Sequence, residues 1–248
     1  MPDRGEPLCL AVVCEARADF DLAATLVDRV LCDSIPWLAQ HGSAEPVRTF
    51  WQAPSGQPFL RWREVPGLAR ERGVRAHGHF DGKPGAADAH AARLALLLLA
   101  QERQQPSAVV LLRDTDGDLA RCQGMQQARI DPQRVWPFPI VLGAAHTKRE
   151  CWLLAGFEPE TPDERQALQT VKAELGFDPC LAAEGLTAVD EGAKRSAKRV
   201  LSLLSGGEPE RERRCYAESP LSNLHQRSSA NGLRNFLAYL EKRLRPLF

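Results

Sequence analysis

The sequence predicts an α/β protein: a mostly parallel sheet flanked by helices, with a helical extension at its C-terminal end. Three observations carry this. Apolar, β-branched runs of strand length occur at LCLAVVCE (8–15), AVVLL (108–112) and PIVLGAAH (139–146). Each is followed by residues at helical spacing, and no persuasive strand comes after Phe157. Strands that alternate with helices build parallel sheets, because a parallel pair needs a long crossover.

The first strand ends on Glu15. ADFDLAATLVDRVL then sets Phe20, Leu22, Leu26, Val27, Val30 and Leu31 at mostly helical spacing, with Asp19 or Asp21 near the start, where negative charge suits the helix dipole. Residues 33–84 carry prolines at 36, 46, 54, 58 and 66 and tryptophans at 37, 51 and 62, which predicts loops and short strands packed by aromatic anchors. Within them HGHFDGKPG (77–85) alternates His77, His79 and Asp81, a spacing open to a metal, although its glycines and Pro84 favour a polar loop.

Ala and Leu enrichment predicts a helix from Ala86 to Gln104, which leads into the strand at 108. A helix over Asp118–Ile130 comes next, with Leu119, Cys122, Met125 and Ile130 inward, until DPQRVWPFP breaks it. After PIVLGAAH, the segment TKRECWLLAGF (147–157) is a short helix, and Thr147 with Glu150 fits a capping box. Helices are expected over Thr161–Leu175 and Glu191–Leu204. The latter sets Lys194, Arg195, Lys198 and Arg199 on one side. GGEPERERR is expected to be a flexible linker before a last helix over Ser229–Leu244, whose stripe is Leu233, Phe236, Leu237, Leu240 and Leu244.

Composition bounds the function classes. A 44% hydrophobic, 26% charged chain of 248 residues is that of a soluble globular protein. The longest apolar run, LALLLLA, falls far short of the ~20 residues that span a bilayer, so no membrane role is expected, and no signal peptide is indicated. Seven cysteines form no CxxC pair and no zinc pattern, which suits reduced core thiols and a cytoplasmic protein. Net charge is zero, yet from Lys194 onward twelve Lys and Arg face five Glu, a net of +7, and the rest carries −7. An acidic first part with a basic tail suits a metal site beside a polyanion-binding surface, or else a solvated basic face.

The chemistry concentrates in RDTDGD (113–118). Asp114 and Asp116 are two positions apart, so in extended chain their side chains share a face roughly 7 Å apart, and Gly117 lets the backbone bend them closer. Paired carboxylates repel unless a cation lies between them, and magnesium is held by one or two carboxylates with water and phosphate oxygens. The same residues also make an ordinary turn. Glu15 and Glu150 fall after the neighbouring strands and are further candidate acids; Lys148 is a candidate phosphate contact.

Three βα units with an acid after the first strand, DxD after a later one and a further Glu after the next resemble the Toprim domain of topoisomerases, primases and overcoming-lysogenization-defect nucleases. The motifs are CEARADFDLAATLV, VVLLRDTDGD and ECWLLAGFEP, the last resembling Toprim-like proteins encoded beside ABC-type or AAA-type ATPases in bacterial anti-phage loci. The resemblance covers about residues 8–157. It differs at Ala16, where the family has glycine, and in the length between Leu31 and Ala86. It implies a Toprim-like (Rossmann-like) catalytic domain over 1–157, with 33–84 inserted, and a helical basic region over 158–248. It also implies Glu15, Asp114, Asp116 and Glu150 as Mg2+ (or Mn2+) ligands and catalytic acids, and Lys148 or the Lys194, Arg195, Lys198 and Arg199 cluster as phosphate contacts. The implied activity is nucleic-acid phosphodiester hydrolysis in antiviral defence with an ATPase partner, or else a non-catalytic subunit that regulates that ATPase.

Overall fold

The computed structural model describes residues 7–41, 43–77, 82–130 and 135–248. His79 and Asp81, two of the three alternating residues in HGHFDGKPG, lie outside the described residues. The fold is α/β and Rossmann-like, with a five-stranded, all-parallel sheet. Strand β1 (Leu8–Cys14) is central. It pairs with β4 (Ala108–Asp114) through Leu10–Val13, while β2 (Arg48–Phe50) pairs with Leu8–Leu10 and β3 (Leu60–Arg61) with Val13–Cys14. Strand β5 (Ile140–Ala145) lies beyond β4, giving the order β2-β1-β4-β5. The two short strands come from the proline-rich segment, where loops and short strands packed by aromatic anchors were expected. No described helix is long and apolar enough to cross a membrane.

The chain forms two compact units: Met1–Arg113 with Leu119–Gly143 and Ala238–Phe248, and Asp114–Asp118 with Ala144–Leu237. In the first, α1 (Arg17–Ser34) buries Phe20, Leu22, Leu26, Val27, Val30 and Leu31, the residues its spacing marked. Phe20 meets the rings of Phe50 and Phe59. Helices α2 (Pro36–His41) and α3 (Val65–Glu71) pack on α1 and α4 (Ala86–Ala100) respectively. Trp62 anchors its loop by donating its indole N–H to the Leu112 carbonyl at 2.8 Å. The aliphatic run of α4 is buried, and each such side chain contributes about 1.5–3 kcal/mol.

Helix α5 (Ala120–Arg129) is shorter than expected. Leu119 and Ile130 flank it and are 56% and 65% exposed, while Gly124, Met125 and Ala128 face inward. The reason is backbone contact: a Cβ on Gly124 would lie 2.2 Å from the Gly85 carbonyl oxygen, so α5 rests on the start of α4 through its glycine.

In the second unit α6 (Arg149–Gly156) is the hub, buried from Cys151 to Gly156. Trp152 stacks on Phe236 at 5.1 Å and donates to the Asn231 carbonyl at 2.7 Å. Asn231, fully buried, donates its side-chain amide to the Cys151 carbonyl and accepts from the Leu233 N–H. Helix α7 (Pro162–Leu175) starts as expected, with Thr161 accepting from the Glu164 N–H. Helix α8 (Ala197–Ser205) starts later than the charge pattern suggested, because the Ser196 hydroxyl accepts the Arg199 N–H and caps it there. Lys194 and Arg195 therefore precede the helix.

GGEPERERR is not a linker. Pro209 opens α9 (Pro209–Ala217), and Arg211, only 7% exposed, lies over Phe157 and binds Glu164 at 2.7 Å. After α10 (Leu221–Gln226), α11 (Leu233–Leu244) buries the predicted stripe.

Gly124→Ala should lower unfolding free energy by about 2–4 kcal/mol, the overlap outweighing the ~1 kcal/mol of helix propensity gained, as measured by urea denaturation. The Arg211 guanidinium, by hydrogen bonding, holds Glu164 below its usual 4.5. That stabilisation is present above the unfolded pKa and disappears as pH falls through the folded one. Glu164→Gln should thus cost about 2 kcal/mol at pH 7, and the gap to the wild-type protein should narrow progressively in denaturation curves as the pH is taken below the usual 4.5.

Candidate functional site

After β4 the chain turns sharply. Asp116 and Gly117 adopt φ values of 48° and 84°, and the Asp118 N–H closes on the Thr115 carbonyl at 2.8 Å. Two central residues at positive φ are the mark of a type I′ turn, for which Asp-Gly is a preferred pair. The ordinary-turn reading of DTDGD therefore holds as local geometry.

The segment after β5 ties this turn in place. The Thr115 N–H donates to the Ala145 carbonyl at 2.9 Å and the Asp116 N–H to the Thr147 carbonyl at 2.8 Å. Asp114 Oδ1 accepts the backbone N–H of Arg149, the first residue of α6, at 2.8 Å. A carboxylate there meets both an unsatisfied helix N–H and the positive end of the dipole. The expected capping box is absent. Lys148 stands at the N-cap without a side-chain bond, and the Thr147 hydroxyl donates to the Leu186 carbonyl at 2.8 Å. Asp114, 35 residues upstream of Arg149, takes over that role.

Of the four candidate acids, Asp114, Asp116 and Glu150 belong to the second unit with Lys148, and Glu15 belongs to the first. Asp116 is exposed and Asp114 half-buried. Glu150 meets the Arg149 guanidinium at 3.2 Å. Glu15 lies 3.6 Å from the Arg113 guanidinium, which also holds Asp88 at 2.6 Å. Glu15 and Glu150 would each have to leave an arginine to hold a metal. Among the described residues no group of three or more His, Cys, Asp or Glu is placed to hold a metal ion. Asp114 and Asp116 offer the hard oxygen donors that suit magnesium, which needs no more than one or two carboxylates.

The basic cluster divides. Lys198 binds Glu191 at 2.8 Å, Arg199 forks onto Glu174 at 3.2 Å, and Arg195 lies over the Phe177 ring at 5.8 Å. Lys194 is exposed. Lys148 is close enough to Glu191 to help hold that carboxyl below its usual range, after the larger effect of Lys198.

Two neighbours were not evident from local sequence. His146 Nδ1 lies 2.9 Å from the Thr115 hydroxyl, and a histidine one residue past β5 was the available signal. Glu212 on α9 is pushed up by burial, against Arg149 and with Glu150. It sits in GGEPERERR, where Pro-Glu at a helix start was the missed cue. Burial raises all seven thiols, to about 12 for Cys180 and about 11 for Cys215, so none is a ready nucleophile at neutral pH. All seven are free thiols, and Cys14, Cys151, Cys180 and Cys215 are buried.

Asp114→Asn keeps the side-chain shape but loses the charge at the α6 N-terminus, and should reduce stability by about 1 kcal/mol in thermal unfolding at neutral pH. No family model, no curated protein and no solved structure matches the chain, so the site is characterised by its own geometry.

Proposed function

We propose that this protein is a magnesium-dependent nuclease whose metal-holding carboxylates are Asp114 and Asp116. One observation carries the reading: the acidic turn is hydrogen-bonded, through Asp114, Thr115 and Asp116, to the segment that holds Lys148. Carboxylates and a lysine are thereby set on one rigid pair of loops at the carboxyl ends of parallel strands, where ligands bind in open α/β sheets. When bound, the metal would activate water and stabilise the leaving oxygen of a phosphodiester. Lys148 would meet a phosphate oxygen, and Asp116, on the tight turn with Gly117, is exposed to solvent.

In this reading Lys194, and the Lys198 and Arg199 side chains where substrate displaces their acids, track the nucleic-acid backbone with affinity that falls as salt rises. The Toprim resemblance extends the proposal to a cytoplasmic effector of bacterial antiviral defence with an ABC-type or AAA-type ATPase partner. Glu150 joins as a further acid only once released from Arg149.

Those ion pairs favour a second reading, in which the domain is a non-catalytic subunit that regulates the ATPase. Replacement of the family's glycine by Ala16 points the same way. The two readings separate on one assay. In the first, the wild-type protein nicks plasmid with magnesium or manganese, and Asp116→Asn and the Asp114→Ala, Asp116→Ala double variant, both folded by circular dichroism, lose activity by about two orders of magnitude, the scale of losing a group that stabilises transition-state charge. Full activity in the folded double variant rejects the catalytic assignment. Co-purification with the ATPase, with no cleavage of DNA or RNA in either metal, selects the second.

A further inference from the structure

Arg129 is the last residue of α5, and its guanidinium lies over the Tyr239 ring with Cζ 5.0 Å from the centroid. Arg243 is one turn beyond Tyr239 on α11, so one tyrosine links both arginines; all three belong to the first unit. Arg129 Nε and Nη1 and Arg243 Nε are shielded from solvent and have no hydrogen-bond partner among the described residues. The described groups that act on Arg243, besides burial, are Arg129 and Tyr239, with no carboxylate among them. Arginine cannot escape such a setting by losing its proton. Both residues lie in the last turn of a helix, where the terminal carbonyls favour a cation, but a fractional charge on each helix does not supply the missing acceptors.

We propose that Arg129 and Arg243 form an anion site for the phosphate group of a small molecule. Two guanidinium groups bring a double positive charge and N–H donors that lack an acceptor. A phosphate dianion matches both, with oxygens enough to accept from each fork, whereas a monocarboxylate balances one arginine only. The site is independent of the acidic turn and of any nuclease activity.

The experiment uses the full chain and three probes at matched ionic strength: inorganic phosphate, adenosine monophosphate and acetate. At roughly tenfold above its dissociation constant a single bound ligand raises the melting temperature of a chain this size by about 3 °C. Phosphate or the nucleotide should give such a shift and acetate should not; the tighter of the two in titration calorimetry shows whether free phosphate or a phosphorylated metabolite is the source. Arg129→Gln and Arg243→Gln should each abolish the shift, while Arg243→Lys should keep part of it. The proposal is overturned if the wild-type protein shows no shift with either phosphate probe, if acetate matches them, or if the shift survives in the folded Arg129→Gln, Arg243→Gln double variant.

Discussion

A single charge-assisted hydrogen bond organises the candidate site: the Asp114 carboxylate on the first N–H of α6. A buried helix start without a partner is costly, and α6 is enclosed along most of its length, with no side-chain cap from its own N-cap residue. Asp114 therefore has a structural task whatever else it does. With that bond made, the backbone bonds from Thr115 and Asp116 leave the turn little freedom, and Asp116 is presented to solvent by positive φ at two successive residues.

This dual role affects how the acids should be weighed. Asp114 and Asp116 differ in burial and in partners, so they are not interchangeable ligands. Asp116 is the cleaner probe of chemistry, since it is exposed whereas Asp114 is committed to the start of α6. Arg149 pairs with Glu150 and partly offsets the burial that raises the half-buried Glu212. Surface pairs such as Lys198 with Glu191 are weak individually, and a polyanion with many phosphates could compete for them.

Parts of the fold were legible because their signal is local. The apolar faces of α1, α4 and α11 follow from spacing, and β1, β4 and β5 from runs of Val, Leu, Ile and Ala. Other parts were not. Short strands were expected among the prolines of 33–84, but not their positions: β2 and β3, of three and two residues, form where β1 offers backbone groups to pair with. α9 read as a linker since Glu and Arg dominate it, yet Arg211 becomes a core residue when Glu164 and the Phe157 ring receive its charge. The Thr147 and Glu150 pair matched a capping motif, and the distant Asp114 prevailed because it brings a full negative charge to the helix start.

From sequence alone came the α/β class, the parallel sheet, the position of the acids after their strands and the sharp bend at Asp116 and Gly117, all consequences of side-chain periodicity and of backbone preference within a few residues. Only tertiary structure decided which groups meet the charges far along the chain: Asp114 with α6, Glu15 with Arg113, and Arg129 beside Arg243. The physical reason is that a charge half out of water must be met by whatever group the fold brings near, and that group is set by long-range packing rather than by neighbours in the chain.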